Sequence, residues 1–156
     1  MNILLVDDEA LPLEDMRTSL LPTGYSITTT TKPLKALELY KEHPYDVVIS
    51  DVRMPVMDGI TLLRELRSFD KDARVIIVTA YGDLETAKAA LNNRAYAFFG
   101  KPIHFPDLIQ TLKDIEQDIT NPQEPDLTKL KEENSRLKKV YQDLLQEMQD
   151  LRDGRN

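Results

Sequence analysis

The stretch Asp46-Val47-Val48-Ile49-Ser50-Asp51-Val52-Arg53-Met54-Pro55-Val56-Met57-Asp58-Gly59 decides the fold of this chain. Its first half is a short apolar run, uniform rather than alternating, as a strand buried on both faces of a parallel sheet requires. A carboxylate, Asp51, closes that run. Open α/β sheets place their chemistry at the carboxyl ends of such strands. Asp58-Gly59 then sits where an amphipathic stretch begins, a doublet that by itself reads as a turn.

Working outward, the same unit recurs five times. Strands are expected at Asn2 to Val6, Ser26 to Thr30, Asp46 to Ser50, Arg74 to Thr79 and Tyr96 to Phe99. Helices are expected at Leu11 to Leu21, Pro33 to Glu42, Gly59 to Phe69, Leu84 to Asn92 and Pro106 to Ile119. Strand and helix alternating in this way predict an α/β fold, a five-stranded parallel doubly wound sheet of flavodoxin-like type. The threonine-rich second strand is polar enough for an edge, whereas the first, third and fourth are apolar enough for the centre. Pro22-Thr23-Gly24 punctuates the end of the first helix, and Pro33 suits the first turn of the second. Right-handed crossovers bring the carboxyl ends of strands one, three, four and five to one rim.

That rim collects Asp7, Asp8, Asp51, Thr79 and Lys101. Three carboxylates held together repel unless a cation lies among them. A hard divalent ion, Mg2+, takes oxygen ligands and is commonly held by one or two carboxylates together with a phosphate. With that charge offset, one carboxylate can attack phosphorus and carry an acyl phosphate. Asp51 is the expected nucleophile, with the Lys101 ammonium and the Thr79 hydroxyl directed at phosphoryl oxygens.

Composition narrows the alternatives. The 156 residues hold no cysteine and two histidines, His43 and His104, which excludes thiol chemistry and a zinc cluster. The net charge is −7, of which −6 falls on residues 1–119 and −1 on residues 120–156. No basic patch points to nucleic acid, and no apolar run reaches the ~20 residues needed to span a bilayer. A cytoplasmic protein without membrane or direct nucleic-acid contacts is expected.

From Met1 to about Ile119 the chain resembles the receiver domain of two-component response regulators. The resemblance rests on Asp7-Asp8-Glu9, on Asp51 with Met54-Pro55-Val56-Met57-Asp58-Gly59, on Thr79-Ala80, and on Lys101-Pro102 three residues beyond Phe98. It implies phosphorylation of Asp51 by a phosphohistidine of a histidine kinase or phosphotransfer protein. It also implies Mg2+ held by Asp8, Asp51, the Arg53 backbone carbonyl and, through water, Asp7. Thr79 and Phe98 are the implied switch pair, remodelling the surface around the fourth helix and fifth strand. Such a domain catalyses only its own phosphorylation and dephosphorylation and is not a turnover enzyme. Several positions depart from the family pattern: Arg94-Ala95 replaces a frequent Gly-Ala, and Ile103 a frequent Phe. Arg53 and Tyr81 occupy places that bear on phosphate lifetime.

Beyond Ile119, Thr120-Asn121-Pro122-Gln123-Glu124-Pro125 interrupts the helix, since proline removes donors and restricts its predecessor. A second helix is expected over residues 126–153. Leu130, Leu137, Leu144 and Leu151 recur every seven residues there, with Leu127, Asn134, Tyr141 and Met148 three positions earlier. Leucine at each d position and one asparagine among the a positions favour a parallel two-stranded coiled coil. The flanking pairs Asp126 with Lys131, Glu133 with Lys138 and Glu147 with Arg152 are attractive across such a dimer. The competing readings are an amphipathic helix folded back on its own domain and a solvated charged linker.

The organisation expected is therefore a receiver at 1–119, a proline linker at 120–125, and a dimerising helix that passes the signal to an effector. Because no output module follows the zipper, a fragment of a longer regulator or an adaptor is expected. Two other classes compete. A constitutive dimerisation scaffold would leave Asp51 unused. A Mg2+-dependent phosphohydrolase would need a carboxylic acid two residues beyond Asp51, where Arg53 stands.

Overall fold

The computed structural model describes residues 1–80, 83–122 and 127–154, the backbone alone at 127–129. Tyr81, linker residues 123–125 and the expected helix start at Asp126 lie outside the described residues. Five parallel strands form one sheet: β1 (Asn2–Val6), β2 (Ser26–Thr30), β3 (Val47–Asp51), β4 (Val75–Thr79) and β5 (Ala97–Gly100). The helices between and after them are α1 (Ala10–Leu20), α2 (Pro33–Glu42), α3 (Gly59–Phe69), α4 (Leu84–Asn92), α5 (Phe105–Thr120) and α6 (Leu127–Arg152). The strand order is β2-β1-β3-β4-β5, the flavodoxin-like doubly wound topology. Threonine-rich β2 lies at one edge, and β1, β3 and β4 are central and buried.

The two-residue period of each strand sorts its side chains to opposite faces. Leu4, Val6, Val48, Val75 and Ile77 pack with Ala36 of α2, Leu62, Leu63 and Leu66 of α3, and Ala90 of α4. Ile3, Leu5, Val47, Ile49, Ile76 and Val78 pack instead with Leu13 and Met16 of α1 and Leu108, Leu112 and Ile115 of α5. Uniformly apolar strands thus feed two cores.

Several boundaries fall one residue from those expected. β3 takes in Asp51 because that residue pairs with Val78 of β4, while Asp46 precedes the ladder. β4 begins at Val75, and β5 runs from Ala97 to Gly100, with Gly100 paired to Thr79. The first helix starts at Ala10 and hands over at Leu21 to a short 3-10 turn, Leu21–Thr23, closed by Gly24 at φ 77°. α5 is longer by a residue at each end than the apolar pattern required.

The departure at Arg94-Ala95 leaves the turn intact. Arg94 takes φ 57°, its N–H donating to the Leu91 carbonyl and that of Ala95 to the Ala90 carbonyl. This is the Schellman closure usually given to glycine. An arginine there bears a backbone cost that glycine avoids.

Candidate phosphoacceptor and metal site

The order β2-β1-β3 reverses direction at β1, so the crevice beyond the ends of β1 and β3 is the topological switch point. Asp7 and Asp8 follow β1, and Asp51 ends β3. Each offers one carboxylate oxygen, and these three oxygens lie within 4.8 Å of one another. The sequence-predicted acids are therefore brought together.

Asp7 is the buried member, with 3% of its surface exposed. One of its oxygens accepts the Glu9 backbone N–H at 3.0 Å, and the other accepts from Lys101 Nζ at 3.0 Å. The ammonium also stands 3.8 Å from Asp51 Oδ1, so a single cation spans two of the acids. Asp51 Oδ1 further accepts the Val52 N–H at 2.9 Å. Burial pushes the Asp51 carboxyl up from the ordinary aspartate range. Lys101 opposes the rise, Asp7 adds to it, the Val52 N–H opposes it, and Asp8 adds the smallest contribution. Asp51 is thus a carboxylate poorly solvated by water and crowded by its neighbours, a state in which a further cation is favourable.

Thr79, 1% exposed, closes β4 one residue beyond the partner of Asp51. Its carbonyl accepts the Lys101 N–H at 2.8 Å, which ties the loop carrying the ammonium to the end of β4. A cis peptide bond joins Lys101 to Pro102. Phe98, paired with Ile77, packs in the cluster that also holds Ala90 of α4. By strand alternation Thr79 shares that sheet face. Arg53 is exposed, two residues past Asp51 in the loop that leads to α3.

Two features of that loop escaped the sequence reading. The Gly59 N–H donates to the Val52 carbonyl at 2.8 Å, and a Cβ at Gly59 would collide with the Asp51 backbone carbonyl oxygen. Glycine is therefore required by close approach of α3 to the end of β3, beneath the carboxylate. Asp58 caps the helix, its Oδ1 accepting the Thr61 N–H at 2.7 Å. The Asp58-Gly59 doublet carried this signal, although it was legible only as a turn. The second feature is Val56, at φ 74° and 88% exposed. For a β-branched residue this is a strained backbone, held at the mouth of the site.

The donor set fits a hard divalent ion. Among the described residues this cluster consists of carboxylates alone, and Mg2+ binds oxygen at about 2.0–2.1 Å in octahedral geometry.

Residues 3–113 match the response regulator receiver domain family. The chain belongs to that family. Receivers are signalling domains, and phosphorylation on aspartate with Mg2+ is general among them. The transcriptional regulatory protein ZraR of Klebsiella oxytoca is 36% identical over 113 residues, which make up 72% of this chain and 26% of that protein. The receiver thus spans about a quarter of the length of the curated relatives it matches. Among solved structures, the CheX–CheY–BeF3–Mg2+ complex from Borrelia burgdorferi matches with a TM-score of 0.69 at 33% identity, covering 74% of this chain and 88% of that one. The response regulator TrrA of Thermotoga maritima, in complex with Mg2+ and BeF, matches with a TM-score of 0.67 at 32% identity, covering 73% and 97%. Among the described residues, no helix of the receiver is long and apolar enough to cross a membrane.

Proposed function

We propose that Asp51 accepts a phosphoryl group from the phosphohistidine of a histidine kinase or phosphotransfer protein in the cytoplasm. The observation that carries this reading is the shared ammonium: Lys101 Nζ lies 3.0 Å from Asp7 and 3.8 Å from Asp51 at the switch point of the sheet. In the transfer, an Asp51 carboxylate oxygen forms a bond to phosphorus while the nitrogen–phosphorus bond breaks, and the imidazole leaves with the bonding pair. Asp51 Oδ1 is oriented by the Val52 N–H, so its attacking geometry is set before the donor arrives. Lys101, already at the acids, turns to the phosphoryl oxygens as negative charge moves onto them, and the Thr79 hydroxyl donates to another. Asp7, Asp8, Asp51 and the Arg53 backbone carbonyl would hold Mg2+, which when bound offsets the charge of acids and phosphoryl group together. Hydrolysis of the acyl phosphate returns the acid, so the chemistry serves signalling rather than turnover.

Movement of Thr79 toward the phosphoryl group frees space on the sheet face that it shares with Phe98, and that ring turns inward. The receiver at 1–119 is followed by a linker at 120–125 and a helix at 126–153 that pairs with a second copy. The seam is Leu127, Leu130, Asn134, Leu137, Tyr141, Leu144, Met148 and Leu151. The pair conveys the change to an effector. Support comes from the heptad repeat and from exposure of Leu130, Met148 and Leu151 on α6. Incubation with acetyl phosphate and Mg2+, followed by intact mass and light scattering, tests acceptor and assembly together. One added phosphoryl group and a dimeric mass are expected. An unchanged mass spectrum at saturating donor overturns the acceptor reading.

A further inference from the structure

Helix α6 lies against α4. On α4, Ala87 and Ala90 are buried toward the sheet, while Leu84, Lys88 and Leu91 line a second face at helical spacing. These three are half-buried, although among the described residues neither leucine belongs to the apolar cluster on either sheet face. On α6, Leu137, Tyr141 and Leu144 are half-buried, whereas Leu130, Met148 and Leu151 are exposed. Glu133, one turn before Leu137 on the same side, lies within electrostatic reach of Tyr96 ahead of β5 and of Asp114 and Asp118 on α5. The stripe Glu133-Leu137-Tyr141-Leu144 therefore faces the α4–β5–α5 side of its own receiver.

We infer that α6 docks on α4 in the unphosphorylated chain, covering the middle of its own pairing seam, and that phosphorylation releases it. The inference rests on Asp51 as acceptor and on α6 as the pairing helix. Its physical basis is exclusion: Leu137, Tyr141 and Leu144 cannot face α4 and a second α6 at once. The hold is shallow by construction. Glu133 stands within electrostatic reach of two acids of α5, its neighbour Arg136 compensating in part, and like charges brought together oppose docking. A route from the acceptor is present as well. Phe98 packs in the same cluster as Ala90, so a turn of that ring alters the surface on which α4 rests. A small bias at the pocket is then enough to shift a two-state contact.

The chain has no cysteine, so Glu85→Cys on α4 and Lys138→Cys on α6 give a clean pair of spin labels. A short, narrow distance is expected in the resting chain, replaced by a long and broad one with beryllofluoride and Mg2+. An absent short distance, or one unmoved by beryllofluoride, overturns the inference. Leu91→Glu, outside both the acidic pocket and the seam, is expected to release α6 without any phosphoryl mimic. Glu133→Gln is expected to lower the released fraction several-fold at equal beryllofluoride. Intact mass after acetyl phosphate, on the same samples, separates the two layers. Phosphorylation with an unmoved helix overturns docking control alone. Absence of phosphorylation overturns the acceptor reading, while Leu91→Glu still reports on docking. Distance change without dimerisation, read by sedimentation, refutes pairing through the seam and leaves the docked state standing.

Discussion

The rim of the sheet and the C-terminal helix present opposite problems. At the rim, Asp7, Asp51 and Lys101 are separated by 44 and 50 positions in sequence and meet within a few ångströms. Along α6 the relevant residues are neighbours in sequence, yet their partner is not written there. A strand end is fixed by its register with other strands, so a residue at that end has one destination. A heptad stripe specifies only that one side of a helix is apolar; α4 covers it here, and a second α6 would cover it in the proposed pair.

The sharpest test of the rim is Asp51→Asn, which removes the nucleophile and leaves its shape. Complete loss of phosphoryl uptake is expected by intact mass, with the receiver still folded by circular dichroism. Chelation of Mg2+ from the unaltered chain should suppress uptake in the same assay. Uptake at another residue in either case would break the contrast, because the rim would no longer have a single destination for charge.

Gly59→Ala comes next in size. The new methyl meets the Asp51 carbonyl, a backbone atom that cannot step aside. Overpacking of this kind costs about 1–3 kcal/mol, and a backbone collision belongs at the upper end. The urea midpoint should fall accordingly. Lys101→Met should lower metal-free stability by about 1–3 kcal/mol, a reduced figure because the ammonium is partly solvated while Asp7 is not. Adding Mg2+ should restore more stability to this variant than to the parent.

For the tail, Leu144→Glu places a charge in the proposed seam and should weaken the proposed dimer by at least tenfold in sedimentation, about 1.4 kcal/mol. Phosphoryl uptake should be untouched. If uptake fell too, rim and tail would not be separable units. The smallest expected effect is Arg94→Gly. Glycine relieves the left-handed backbone at φ 57° and should raise stability by about 0.5–1 kcal/mol in urea unfolding.

Much of the rim was legible because strand-end chemistry is carried by residue type and position together. Asp7, Asp8 and Asp51 were read as one cluster and do converge, and the strand limits differ by one residue where ladder pairing, rather than apolarity, decides. Gly59 was read as a turn. Its closer role, holding α3 against the Asp51 carbonyl, needs the three-dimensional approach of two backbones and has no one-dimensional signature. Val56 and Arg94 at positive φ were likewise invisible, since side-chain chemistry gave no reason to place either there.

The order of apolar runs and the residues that end them determined by themselves the five-stranded doubly wound sheet and the meeting of three acids with a lysine. Burial on both faces leaves such strands little choice of neighbours. Which acid shares the ammonium with Asp51, how tightly α3 abuts β3, and that α6 lies on α4 were decided only by tertiary structure. Those are matters of distance between segments remote in the chain, and local propensity carries no information about distance.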